Sequence, residues 1–118
     1  MTALDSLLHC PSVVLELDLS PQPLPEDAQL AALWPDKLFI ESRHCLLPGT
    51  RLRFRLNLEG NALPLEAITE ACLVVARDRR GYVFHIQVPL EQISRSARQL
   101  IQLFIVKGRG SASVESSV

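Results

Sequence analysis

The sequence predicts a mainly β protein: a small antiparallel barrel or bent sheet of six short strands with one C-terminal α-helix. Three observations carry that expectation. Apolar and polar residues alternate in several short runs, which is the two-residue period of half-buried strands. Clusters of Gly, Pro, Asn and Asp separate those runs, supplying the backbone angles that turns need. After Pro89 the apolar period changes to three and four residues, the spacing of one helix face.

The elements follow in order. Five of the eight prolines (Pro11, Pro21, Pro23, Pro25, Pro35) fall in the first 36 residues. Proline lacks a backbone donor and fixes φ, so this third of the chain is not one long helix. Val13 to Leu19 reads as the first strand, with Val13, Leu15, Leu17 and Leu19 on one face and Glu16 and Asp18 on the other; only Val14 breaks the pattern. Ser20 to Asp27 is a Pro-rich connection. Gln29 to Leu33 and Lys37 to Glu41 are short extended pieces on either side of the corner Trp34-Pro35-Asp36.

Thr50 to Leu58 is the clearest strand. Leu52, Phe54, Leu56 and Leu58 face inward, and Arg51, Arg53, Arg55 and Asn57 face outward. Pro48-Gly49 turns into it and Glu59-Gly60-Asn61 turns out of it. Leu65 to Ala76, containing Leu73-Val74-Val75, reads as the next strand, and Asp78-Arg79-Arg80-Gly81 as the following turn. Tyr82, Phe84, Ile86 and Val88 then line one face of the last strand and His85 and Gln87 the other, so the two segments form an antiparallel hairpin. Leu90, Ile93, Ala97, Leu100, Ile101 and Phe104 mark a helix over about 90–106, and Leu103 and Val106 widen its apolar face. Lys107-Gly108-Arg109-Gly110 ends it. One domain is expected over 1–110, with 111–118 as a disordered tail.

Composition narrows the function. With 12 Lys plus Arg against 13 Asp plus Glu, the net charge of −1 exerts no whole-chain pull toward nucleic acid or an anionic membrane. No apolar run approaches the ~20 residues that span a bilayer, and the N-terminus lacks a secretory pattern. A soluble, cytoplasmic chain without nucleic-acid partners or membrane insertion is therefore expected. Cys10, Cys45 and Cys72 are odd in number and show no C-x-x-C, which argues against a disulfide framework or a common zinc spacing. His9-Cys10 and His44-Cys45 supply four metal-ligand types, but neighbours on a strand point to opposite faces, so no metal is expected. The chain lacks the phosphate-loop, dinucleotide, zinc-protease and nucleophile-elbow motifs. A Cys–His dyad, from Cys45 or Cys72 with His44 or His85, has no sequence neighbour to act as base. No enzyme and no cofactor are expected.

From Leu33 to Val106 the chain resembles a PilZ domain. Lys37-Leu38-Phe39-Ile40-Glu41-Ser42 is similar to the family's G-L-F-I-x-S segment, and Leu47-Pro48-Gly49-Thr50-Arg51-Leu52 to its L-x-P-G approach to the next strand. Leu73-Val74-Val75-Ala76 and Gly81-Tyr82-Val83-Phe84 follow in the same order, and a helix closes the pattern. The resemblance implies a bacterial source and a six-stranded antiparallel PilZ-like β-barrel, in a family whose members are typically receptors for cyclic di-GMP. The nucleotide-binding half of the pattern is replaced. Where D/N-x-S-x-x-G belongs, this chain has Ala32, Trp34 and Lys37, and no arginine precedes residue 43 to supply R-x-x-x-R. Arg51-Leu-Arg-Phe-Arg55 repeats that spacing inside a strand, where its arginines share one face.

The resemblance therefore implies a degenerate member that acts through a bacterial signalling or motility protein, in processes such as type IV pili and surface behaviour. The candidate partner-binding residues are Trp34, the stripe Arg51, Arg53 and Arg55, and Leu103 and Val106 on the helix. Trp34 either anchors a partner or fills the space a nucleotide takes in relatives. The alternatives are a cyclic di-GMP receptor using the turn arginines Arg77, Arg79 and Arg80 or the strand arginines, and self-assembly of the chain through the C-terminal helix.

Overall fold

The computed structural model describes residues 21–108 and 110–116. Among these residues, two antiparallel sheets and one helix make up the fold. Strand β1 (Gln29–Leu33) pairs with β2 (Lys37–Ser42) across a two-residue turn, Pro35-Asp36, closed by a 2.8 Å bond from the Trp34 N–H to the Lys37 carbonyl. Strand β3 (Arg51–Leu58) pairs with β4 (Asn61–Ile68) through the turn Glu59-Gly60, where both residues take positive φ (51° and 86°) as a two-residue hairpin requires. Strands β5 (Ala71–Asp78) and β6 (Gly81–Pro89) form the next hairpin, and β6 also pairs with β2. Helix α1 (Arg95–Lys107) and strand β7 (Ala112–Ser116) complete the chain. The sheet orders are β1-β2-β6-β5 and β4-β3-β7.

Alternation fixes which faces meet. Leu38 and Ile40 of β2 and Ile86 and Val88 of β6 are fully buried, as are Leu52, Phe54 and Leu56 of β3. Leu65 and Ala67 of β4, Val114 of β7 and Ala97 and Ile101 of α1 join them in one core, to which each fully buried apolar side chain contributes about 1.5–3 kcal/mol. Pro64 lies on the outward face of β4, an edge strand, where a missing donor is tolerated.

Several expectations are corrected. The sheets do not close into a barrel; β1 and β7 approach each other, but no strand pairing joins them among the described residues. Seven strands, not six, are found there. The span Leu65 to Ala76 divides at Thr69-Glu70, where the chain leaves one sheet for the other. Thr69 is buried and pins that corner: its Oγ1 donates to the Leu47 carbonyl (2.8 Å) and accepts from the Thr50 N–H (3.0 Å). The helix begins at Arg95 and not near 90, because the Ser94 side chain accepts from the Ala97 N–H as its N-cap. Gly108 in the left-handed conformation (φ 70°) ends it.

The expected disordered tail at 111–118 is also corrected, since Ala112–Ser116 pair with Leu58–Phe54 of β3 and bury Val114. The folded unit thus extends past 110. Gly110 (φ 111°) makes the reversal, packed where a Cβ would meet the Glu59 side chain. Tyr82 and Phe84 continue the face of Ile86 and Val88, but Phe84 is half-buried and Tyr82 exposed. The expected strand Val13–Leu19 lies outside the described residues. No described helix is long and apolar enough to cross a membrane.

Candidate functional site

Helix α1 carries two apolar faces. Ala97 and Ile101 turn to the core, and Phe104 and Ile105 pack half-buried beside them. Leu100, Leu103 and Val106 recur at three-residue steps on another side and are 52%, 54% and 81% exposed. The expectation that Leu100 belongs to the core face is therefore corrected. Beside this stripe a groove of about 310 Å³ separates α1 from the β3–β4 hairpin, lined by Leu58, Ala62, Leu63, Leu103 and Phe104 with Glu59 and Lys107. An open apolar stripe along a groove is the surface that an amphipathic segment of another chain can cover.

The arginine stripe lies on the outer face of β3, directed away from the core. Register places a carboxylate beside each member. Arg51 and Arg53 approach Glu66 at 3.8 and 3.4 Å, and Arg55 approaches Glu115 at 3.3 Å. Three guanidinium groups facing two carboxylates make a weaker positive field than the sequence alone suggests.

The second arginine group sits at the β5–β6 turn. Arg79 and Arg80 form the turn itself, and the Arg77 guanidinium lies 5.6 Å from the centre of the Tyr82 ring. Asp78 accepts two bonds from Arg43 (2.8 and 2.5 Å) and one from the Arg80 N–H (2.8 Å). The Arg43 guanidinium and that N–H hold the Asp78 carboxyl at about 2, below its ordinary value. A groove of about 260 Å³ nearby is lined by Arg43 and Arg80, but also by Asp27 and Glu41. A phosphate entering it would meet two carboxylates, and Arg43 is already committed to Asp78.

Asp27 organises the adjoining loop. Its Oδ1 accepts from the buried Ser42 hydroxyl (2.7 Å) and lies 3.1 Å from His44 Nδ1; its Oδ2 accepts from the Arg43 N–H (2.7 Å). Partial burial pushes this carboxyl up, but the Arg43 N–H, the Ser42 hydroxyl and His44 outweigh it and bring it down to about 2. The Ser42 proton is directed to a carboxylate and not to a histidine base, so the cluster clamps the chain and does not prepare a nucleophile. Nor are the candidate Cys–His dyads assembled in this arrangement. His44 faces Asp27, His85 Nε2 lies 3.1 Å from Glu41, and Cys72 sits against Cys45 with its thiol pushed up by burial. Sequence reasoning missed the Asp27–Ser42–Arg43–Asp78 network, whose bonded pairs are 15 to 35 residues apart. Among the described residues, no group of three or more His, Cys, Asp or Glu is arranged to hold a metal ion.

Ala32, Trp34 and Lys37, the positions that the sequence resemblance set against a nucleotide motif, lie together on β1, the β1–β2 turn and the start of β2. Ala32 is half-buried, Trp34 is 53% exposed, and the Lys37 ammonium lies 5.8 Å from the centre of the Phe39 ring. The partner-binding candidates thus fall on separate surfaces: Trp34 on a turn, the arginines on β3, and Leu103 and Val106 on α1. The last two share an apolar surface with Leu100 and with the groove residues Leu58, Ala62 and Leu63, which sequence reasoning had not grouped with the helix. No family model, curated protein or solved structure matches the chain.

Proposed function

We propose that this chain is a non-enzymatic, PilZ-like signalling adaptor of the bacterial cytoplasm that acts through protein contacts at the outer face of α1 and does not take cyclic di-GMP. One observation carries the reading: α1 holds a second apolar face, Leu100, Leu103 and Val106, open to solvent beside an apolar groove. The surface fits an amphipathic helix or strand of a motility or signalling protein. Support against a nucleotide role comes from chemistry. Ala32 and Trp34 offer no carboxylate or hydroxyl to a guanine edge, and Lys37 stands where close ligand approach needs glycine. The arginines of the β5–β6 turn have Asp78 among them and two further carboxylates nearby.

The immobilised full chain should retain a specific protein from bacterial lysate, and Leu103→Asp should abolish that retention without changing the thermal midpoint. A captured set identical for the wild type and for Leu103→Asp with Val106→Asp would overturn the assignment of this face. A concentration-dependent mass in sedimentation, removed by Leu103→Asp, would assign the face to a second copy of the chain.

A further inference from the structure

Strand β5 is an edge of its sheet, paired on one side only among the described residues. Its central residues Leu73, Val74 and Val75 are 50%, 57% and 47% exposed. An eight-residue apolar edge of this kind presents unpaired N–H and C=O groups to a strand alongside it. The other sheet edges are guarded. Strand β4 carries Pro64, which has no donor, and β1 and β7 are only five residues long.

The residues of this edge form a self-complementary pattern. The apolar run Ala71–Ala76 is bounded by Glu70 before it and Arg77 after it. Both bounding side chains are exposed, and neither is ion-paired among the described residues. The Glu70 carboxylate accepts from the Gln87 side-chain amide (2.8 Å), and the Arg77 guanidinium lies 5.6 Å from the centre of the Tyr82 ring. When two identical strands pair antiparallel about a two-fold axis, the start of each lies beside the end of the other. An acid at one end and a base at the other then meet twice.

Register supplies a second match. Val74 faces Phe84 of β6 and Ala76 faces Val83, which leaves Val75 as the extra residue of a bulge. With Val75 set aside, Leu73 stands midway between Glu70 and Arg77. Cys72 and Val74 flank it on the face of Ile86 and Phe84, and Ala71 and Ala76 share its own face with Gln87, His85 and Val83. Residues at equal steps from Leu73 within the strand thus point the same way, as opposed residues of a pleated pair must.

We propose that the free edge of β5 pairs antiparallel with β5 of a second copy of the chain, about a two-fold axis at Leu73. Leu73 then lies against Leu73 of the second copy, Cys72 against Val74, and Ala71 against Ala76. At each rim of the joint the Arg77 guanidinium meets the Glu70 carboxylate of the other copy. The joint withdraws exposed apolar side chains from water and gives each edge a backbone partner. It does not involve α1, so its failure leaves the adaptor reading untouched, and failure of that reading leaves the joint untouched.

Sedimentation of the full chain from micromolar to millimolar concentration tests it. The wild type should show a monomer–dimer equilibrium that Leu103→Asp leaves unchanged. Leu73→Lys sets two like charges on the axis and should abolish the dimer while circular dichroism keeps the wild-type spectrum. Glu70→Arg and Arg77→Glu should each weaken the dimer about tenfold, because each creates two like-charged contacts, and the double variant should restore it. That rescue distinguishes a charge match at this edge from a fold damaged by substitution. The β5 amides should gain exchange protection as concentration rises. A monomer throughout the range would overturn the proposal. A dimer indifferent to Leu73→Lys and to the charge changes would overturn it in favour of another surface. Protection of β5 amides in the monomer, or only with an added protein, would overturn it in favour of a different cover.

Discussion

Arg43 and Asp78 form a two-bonded ion pair, at 2.8 and 2.5 Å, that ties the end of β2 to the β5–β6 turn 35 residues later. Asp78 is also the acceptor for the Arg80 N–H, so one carboxylate holds both its own turn and a neighbouring strand end. Asp78 is exposed and Arg43 half-exposed, and solvent screens such a pair. Its effect is therefore local order and not global stability. Asp78→Asn should speed amide exchange at Arg79, Arg80 and Gly81 while moving the thermal midpoint by no more than about 2 °C. A large fall in the midpoint would contradict this.

Acid should weaken the fold chiefly through Asp27. Its carboxyl titrates at about 2 in the folded chain, against an ordinary value of 3.8, whereas solvent screens the exposed Asp78 pair. A carboxyl whose folded value is depressed contributes stability that is complete above the unfolded value and is lost as pH falls through the folded one. Urea midpoints should thus be flat above about pH 5 and fall between about pH 4 and pH 2. In Asp27→Asn the fall should be shallower. An identical slope in the variant would show that Asp27 contributes nothing to it.

The two faces of α1 should separate in mutagenesis. Ile101→Ala removes a fully buried side chain and should cost about 2–5 kcal/mol of unfolding free energy. Leu103→Ala, on the exposed face, should cost about 0.5 kcal/mol or less. Chemical denaturation monitored by circular dichroism gives both values, and equal costs would place Leu103 in the core.

Strand β7 makes the C-terminus part of the fold. Val114→Asp puts a charge into the core against Leu56, its partner in register, and should lower the thermal midpoint by several degrees or more. Removing residues 111–118 should do the same by exposing the edge of β3. An unchanged midpoint after either change would mean that the segment is dispensable.

The strands whose local pattern is strong were legible in the sequence. Leu52, Phe54, Leu56 and Leu58 alternate without a break, and their inward placement follows from period two alone. The Trp34–Lys37 corner and the Gly108 cap carry their turn residues in the sequence. Strand β7 was not legible, because Ala-Ser-Val-Glu-Ser has one large apolar residue and gains its order from pairing with β3. The break at Thr69 was missed because small and β-branched residues continue on both sides; a buried hydroxyl bonded to the Pro48-Gly49-Thr50 turn marks it only in three dimensions. On α1 the residues of the outer face were visible as apolar positions. Which of them faced outward was not, since Leu100 and Ile101 differ only in which neighbours they meet. The carboxylates that temper the arginine stripe, Glu66 and Glu115, lie on strands that only the register brings alongside β3.

As the proposed adaptor, the chain should have no use for cyclic di-GMP. Calorimetric titration of the full chain with cyclic di-GMP at moderate salt, with GTP as control, decides the point. The expected result is no saturable heat with either nucleotide into the high micromolar range. Saturable binding of cyclic di-GMP, selective over GTP and weakened by Arg79→Ala or Arg80→Ala, would contradict it and make the β5–β6 turn the site.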